Sequence, residues 1–180
     1  RSYQTLGVAF MYFAKKCILG DSVGTGKTVE TAGLMNYLKV EYESQGKNLR
    51  YLVLTSKNLA YQFRNEMVKF TGEFVDVLPD GNKKTIERFY KRYPYEDRVR
   101  FDLVGTHALF TTAGFIQWLE LCRTKGEGFP YNVLIVDESS VLGGNATQIV
   151  QGYKALSKYF ERIIFLNATP FETQLEIFYN

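Results

Sequence analysis

The sequence predicts a three-layer α/β domain with a mostly parallel central sheet covered by helices on both faces. Three observations carry this expectation. Short aliphatic or β-branched runs alternate with longer amphipathic stretches along all 180 residues, an order that builds βαβ units and therefore parallel strands. Runs such as Leu134-Ile135-Val136 and Ile163-Ile164-Phe165 are apolar at every position, as a strand buried on both faces requires. A hydrophobic fraction of 46% with 23% charged residues suits one globular core, and a chain of this length buries roughly 70% of its unfolded surface.

In chain order, an amphipathic stretch over 3–14 leads to a strand at Cys17–Gly20, a glycine-rich segment and a helix over 27–44. Strands at Tyr51–Thr55, Phe74–Leu78 and Asp102–Thr106 alternate with helices over 58–70, 82–93 and 112–123. Strands at Val133–Asp137 and Ile163–Asn167 follow, separated by a helix over 146–160, and a last helix is expected over 171–180. In the 82–93 stretch Ile86, Phe89, Tyr90 and Tyr93 recur at i, i+3, i+4 and i+7, which makes a buried stripe rather than a stacking platform. Lys83, Lys84, Arg88, Lys91 and Arg92 hold mostly the opposite face, a solvated face by default and a polyanion contact as the alternative. Trp118 falls in an apolar helical stripe and is expected in the core. No repeat, low-complexity tract or Pro/Gly linker interrupts the chain, so residues 1–180 read as one domain cut from a longer polypeptide.

Composition narrows the function classes. No apolar run approaches the length of a membrane span, and the two cysteines, Cys17 and Cys122, have no metal-ligand spacing. A disulfide scaffold, a zinc finger and a membrane protein are therefore not expected, and an intracellular setting is. The net charge of +3 is unevenly spread: the first ninety residues hold 13 basic against 9 acidic groups, the remainder 9 against 10. The steepest excess lies at 83–100, where Lys83, Lys84, Arg88, Lys91, Arg92, Arg98 and Arg100 outnumber Glu87, Glu96 and Asp97.

Chemistry enters at the loop after the first strand, Asp21-Ser22-Val23-Gly24-Thr25-Gly26-Lys27-Thr28. Phosphate oxygens need donors close at hand, and glycines let the backbone wrap near enough to aim N–H groups inward. Lys27 is placed to reach the β- and γ-phosphates, and the Thr28 hydroxyl to take one position on Mg²⁺. Asp21 stands where the general loop pattern has its first glycine. A second constellation ends the strand at 133–137 in two carboxylates, Asp137-Glu138. Asp137 suits Mg²⁺, which keeps much of its hydration shell, and Glu138 is placed to orient or deprotonate an attacking water. A phosphate loop and an acidic couplet at strand ends read together as a nucleoside triphosphatase, because ligands of such sheets bind at the carboxyl ends of the strands. Thr55, Ser56, Lys57 and Thr106 sit at two further strand ends and are the expected phosphate-backbone contacts. His107, the sole histidine, has no His or Cys partner for a metal and is assigned a packing or loop role. Gly143-Gly144 reads as a loop device.

With these residues identified, the chain resembles the first RecA-like motor domain of superfamily 2 helicases, and most of all the Swi/Snf-type DNA-dependent ATPases. Arg1-Ser2-Tyr3-Gln4 with Gly7-Val8 is similar to the motif before the phosphate loop, and Ile18-Leu19-Gly20-Asp21 through Thr28 to the family's own form of that loop, which accounts for Asp21. Leu52–Leu59 with Gln62-Phe63, and Val104–Leu109, are similar to the two strand-contacting motifs. Asp137-Glu138-Ser139-Ser140 is similar to the acidic motif and Asn167-Ala168-Thr169-Pro170 to the coupling motif. The departures are Thr55 where Pro is common, Ser140 where His is common, and Phe171-Glu172-Thr173 after Pro170 in place of the Gln-Asn usual there.

The resemblance implies an ATP hydrolase of helicase or translocase type, with ATP and Mg²⁺ as its cofactors. It implies that Gln4 reads adenine and that Asn167, Ala168 and Thr169 couple hydrolysis to movement. DNA is the implied partner, duplex ahead of single-stranded, with RNA as an alternative substrate and a non-motor nucleotide-binding regulator as an alternative class. It also implies a second RecA-like domain of the same polypeptide, which supplies the arginine opposite the phosphate loop and is absent from these 180 residues.

Overall fold

The structure, a computed structural model, describes residues 2–22, 24–78, 82–92, 102–123, 129–142 and 148–168. Six strands form one parallel sheet in the order β1-β6-β5-β2-β4-β3. They are β1 Lys16–Leu19, β2 Tyr51–Thr55, β3 Val75–Leu78, β4 Asp102–Thr106, β5 Val133–Asp137 and β6 Arg162–Leu166. The helices are α1 Ser2–Ala14, α2 Lys27–Ser44, α3 Ala60–Thr71, α4 Lys83–Arg92, α5 Ala113–Cys122 and α6 Gln148–Ser157. Short 3-10 turns follow β4 at His107–Thr111 and β5 at Ser139–Leu142.

Successive side chains of a strand point to opposite faces, and the two halves of the core divide on that rule. Tyr51, Val53, Val133, Ile135, Ile164 and Leu166 face Met11, Leu34, Leu38, Phe63 and Met67 of α1, α2 and α3. Leu52, Leu54, Leu134, Val136, Ile163 and Phe165 face Phe89, Phe115, Leu119, Val150 and Leu156 of α4, α5 and α6. The expected three layers are thus present, with both faces of the sheet buried, and the apolar runs of β5 and β6 are buried along their length.

Two element boundaries differ instructively from the sequence expectation. β1 starts at Lys16 because its ladder pairs Lys16 with Ile163, and Gly20 is released into the loop. α6 stops at Ser157, since the amides of Tyr159 and Phe160 bond back to Leu156 and Ser157, a tightened turn that drops Phe160 into the core. In α4, Phe89 is buried while Lys84, Arg88 and Arg92 are exposed, in keeping with the two-faced reading. The expected helix over 171–180, Arg98 and Arg100, Gly143-Gly144 and the side chains of Trp118, Ile86, Tyr90 and Tyr93 lie outside the described residues.

Candidate nucleotide site

The strand order decides the site. β1 and β5 are separated by β6 alone, and the register pairs Leu19 with Leu166 and Leu166 with Asp137. The first strand therefore delivers its loop at the same level of the sheet as the acidic couplet, about 10 Å away at the usual interstrand spacing. A cleft of about 620 Å³ opens there, lined by Gly24, Lys27, His107, Asp137, Glu138 and Asn167 among others. The amine of Lys27 is near enough to Asp137 to favour its carboxylate form.

The loop owes its shape to two glycines. Gly24 has φ 81° and Gly26 φ 96°, a left-handed backbone that a side chain disfavours. At Gly26 the α1 helix also closes in: a Cβ there would lie 2.6 Å from the Gln4 Nε2. Gln4 Nε2 donates to the Thr25 carbonyl at 3.3 Å, and the Tyr3 hydroxyl donates to the same oxygen at 3.0 Å. The Lys27 amine donates to the main-chain carbonyls of Asp21 and Ser22 at 2.8 and 3.1 Å. Lys27 and Thr28 open α2, so the free N–H groups of its first turn and its positive dipole end are presented beside the loop. Beneath the loop, the buried carboxyl of Glu30 is pushed up to about 7 by burial first and then by the Asp21 carboxylate.

Opposite the loop, Asp137 accepts a 2.9 Å hydrogen bond from the Thr55 hydroxyl through Oδ2 and another from the Glu138 amide. Burial nonetheless raises its carboxyl above the ordinary range, which these donors and Lys27 only partly offset. Glu138 has φ 52°, uncommon for a residue with a side chain and characteristic of sites held by their surroundings. Hard oxygen donors beside a phosphate cradle are the chemistry Mg²⁺ selects, with one or two carboxylates and the remaining positions left to phosphate and water. Asp137, with its carboxylate at the cleft, fits that description.

The structure brings together Gly24, Lys27, Asp137, Glu138, Asn167 and Ala168 around one cleft, with Asp21, Ser22, Thr25 and Gly26 forming the loop beside it and Gln4 touching that loop. Thr28 is half-buried in the first turn of α2 and is not among the cleft-lining residues. Val23 and Thr169 lie outside the described residues. Two of the expected nucleic-acid contacts have buried side chains. Thr55 has no exposed surface and gives its hydroxyl to Asp137, so its side chain belongs to the acid cluster. Thr106 is 6% exposed with a buried hydroxyl; one position further along the rim than Thr55, it too is covered. Ser56 and Lys57, in the turn after β2, keep surface for such a contact. Sequence reasoning undervalued His107, which lines the cleft and bonds the Asp137 carbonyl oxygen at 2.7 Å. The available signal was its position, the first residue beyond a strand whose carboxyl end faces the site.

Residues 3–180 match the SNF2-related domain. The chain belongs to this family. It is similar to the chromodomain-helicase-DNA-binding protein 1-like of Mus musculus, with 28% identity over 187 residues, covering all of this chain and 19% of that protein. It is also similar to the ATP-dependent DNA helicase DDM1 of Arabidopsis thaliana, with 22% identity over 97% of this chain and 22% of that one. Among solved structures it resembles the helicase domain of Pyrococcus furiosus Hef, with a TM-score of 0.63, 21% identity and coverage of 99% of this chain and 34% of the other. That likeness establishes the RecA-like fold. This chain thus spans about a fifth of the length of these curated relatives.

Proposed function

We propose that this chain is the first RecA-like domain of an ATP-dependent DNA motor, which binds and hydrolyses ATP and moves along duplex DNA. The observation that carries the reading is the convergence of Lys27 with Asp137 and Glu138 on one cleft beside a glycine cradle. The triphosphate lies along the amides of residues 24–28, with Lys27 turning from the Asp21 and Ser22 carbonyls to the β- and γ-oxygens, and Gln4 reading the adenine edge from α1. Asp137, with Thr28 on the phosphate side, would hold Mg²⁺, which supplies charge neutralisation to the transferring phosphoryl group. Glu138 accepts the proton of the attacking water as its oxygen bonds the γ-phosphorus and ADP leaves.

Catalysis of this kind is positioning plus charge stabilisation, and the charge opposite the loop is commonly met by an arginine. In this reading it comes from a second RecA-like domain of the same polypeptide. The 180 residues alone are therefore expected to bind ATP weakly and turn it over poorly. Ser56 and Lys57 contact the phosphate backbone, and Asn167, Ala168 and Thr169 link hydrolysis to movement. The relatives named as ATP-dependent helicases and DNA-binding proteins support DNA as the partner.

The test is the ATPase rate of the complete polypeptide with duplex DNA, single-stranded DNA or RNA. Stimulation by duplex DNA supports the reading; stimulation by RNA alone makes it an RNA helicase, and no stimulation by any of them makes it a nucleotide-binding regulator. Glu138→Gln is expected to abolish hydrolysis while sparing ATP binding, and normal turnover by that variant removes Glu138 from its role.

A further inference from the structure

We propose that His107 is a positioning residue that ties the nucleic-acid side of the sheet to the acidic couplet and so transmits DNA binding to Glu138. The inference rests on the motor reading above and adds a residue and a path to it. β4 and β5 are not neighbours, because β2 lies between them. The register pairs Thr55 with Thr106 and Leu54 with Val136, so Thr106, Thr55 and Asp137 form one row at the carboxyl rim. His107 starts one position beyond that row. Its ring crosses the end of β2, facing the Leu54 carbonyl, and its Nε2 lies 2.7 Å from the carbonyl oxygen of Asp137. A carbonyl only accepts, so the Nε2–H donates. One side chain thereby spans three strand ends.

The oxygen it holds belongs to the peptide that joins Asp137 to Glu138. That peptide is fastened at both ends: its N–H goes to the Asp137 carboxylate and its C=O to His107. With its plane fixed, Glu138 is kept at φ 52°, a conformation that is unfavourable for an L-residue and persists only where the surroundings over-determine it. The direction in which the Glu138 carboxylate leaves the main chain follows from that φ. Within the acidic motif the fourth residue offers no such reach, since the Ser140 hydroxyl turns back to the Glu138 carbonyl at 3.4 Å.

The other end of the link is the 3-10 turn His107–Thr111, which begins where β4 ends. It stands on the rim beside the turn carrying Ser56 and Lys57, because β2 and β4 are neighbours in register through Thr55 and Thr106. A backbone phosphate engaging that rim shifts the turn, and the imidazole carries the displacement to the 137–138 peptide. Small shifts of this sort are effective where the receiving element has two discrete arrangements, and in this proposal the strained Glu138 is such an element.

The test uses the complete polypeptide and three substitutions assayed for ATPase with and without duplex DNA. Gln places an N–H donor at the position of Nε2, Asn places one only at the position of Nδ1, and Phe keeps the ring without a donor. His107→Phe and His107→Asn are expected to lower the ratio of stimulated to basal kcat about tenfold, with KM for ATP changed less than threefold. His107→Gln is expected to keep the ratio within threefold of the parent. A parental ratio in the Phe and Asn variants overturns the inference, as does a Gln variant as impaired as Asn. If the Phe variant does not fold, the Gln and Asn pair decides alone. A parent protein that no nucleic acid stimulates overturns the motor reading and this inference with it, whereas a stimulated parent with indifferent variants overturns this inference only.

Discussion

Replacing Thr55 by Val exchanges one hydroxyl for one methyl at a position with no exposed surface. The shape of the side chain is kept, and a β-branched residue remains well suited to β2. What is lost is the 2.9 Å hydrogen bond to Oδ2 of Asp137. A hydrogen bond to an ionised group contributes about 1.5–3 kcal/mol, and here the Glu138 amide and Lys27 remain to support the carboxylate. If that energy is used to hold Asp137 in the arrangement that hydrolysis needs, kcat falls about 10- to 150-fold. Thr55→Ser retains the donor and is expected to keep most of the rate. The assay is steady-state ATPase of the complete polypeptide together with duplex-DNA affinity by fluorescence anisotropy. DNA affinity is expected to stay within twofold, because a covered side chain touches no phosphate. An unchanged kcat combined with a tenfold loss of DNA affinity would refute the reasoning, because Thr55 would then be a strand contact after all.

Gly26→Ala places a Cβ 2.6 Å from the Gln4 Nε2 at φ 96°. The left-handed strain and the displaced Gln4 bond together amount to about 2–3 kcal/mol, so nucleotide affinity measured with a fluorescent ADP is expected to fall about 30- to 150-fold; a loss under threefold counts against the cradle. Gly152→Ala in α6 would drive a Cβ into the Phe110 main-chain oxygen, a contact that only backbone movement relieves, and the melting curve is expected to show a loss of about 2 kcal/mol or more. Asp102, which accepts from the Tyr51 amide at 2.9 Å, is pushed up from 3.8 to about 7 by burial, with Arg50 and Lys39 pulling the other way. Its folded state therefore binds more protons than its unfolded state over that interval, and the stability it confers is full below about pH 4 and lost as pH rises through about 7. Asp102→Asn is expected to flatten the fall in melting temperature between about pH 4 and 7 and to be the more stable protein at pH 8; parallel profiles would remove Asp102 as the cause.

The six strands were legible from the sequence because an apolar run such as Leu134-Ile135-Val136 is buried on both faces wherever it is placed, a property local to the run. The phosphate loop was legible for a similar reason: Gly24 and Gly26 satisfy a backbone requirement that neighbouring residues alone impose. Tertiary structure decided the rest. Nothing in the linear order says that β6 rather than β2 stands between β1 and β5, yet that placement puts Lys27 in the same cleft as Asp137. Thr55 and Thr106 look like loop-facing hydroxyls in sequence, but whether the last residue of a strand points into the sheet or away depends on the ladder register, which pairs residues about fifty positions apart. The same holds for His107, whose partner lies thirty residues downstream and two strands across. Burial and turn geometry are short-range properties that a chain carries with it. Which side chains meet at a sheet rim is fixed only when distant strands settle into register.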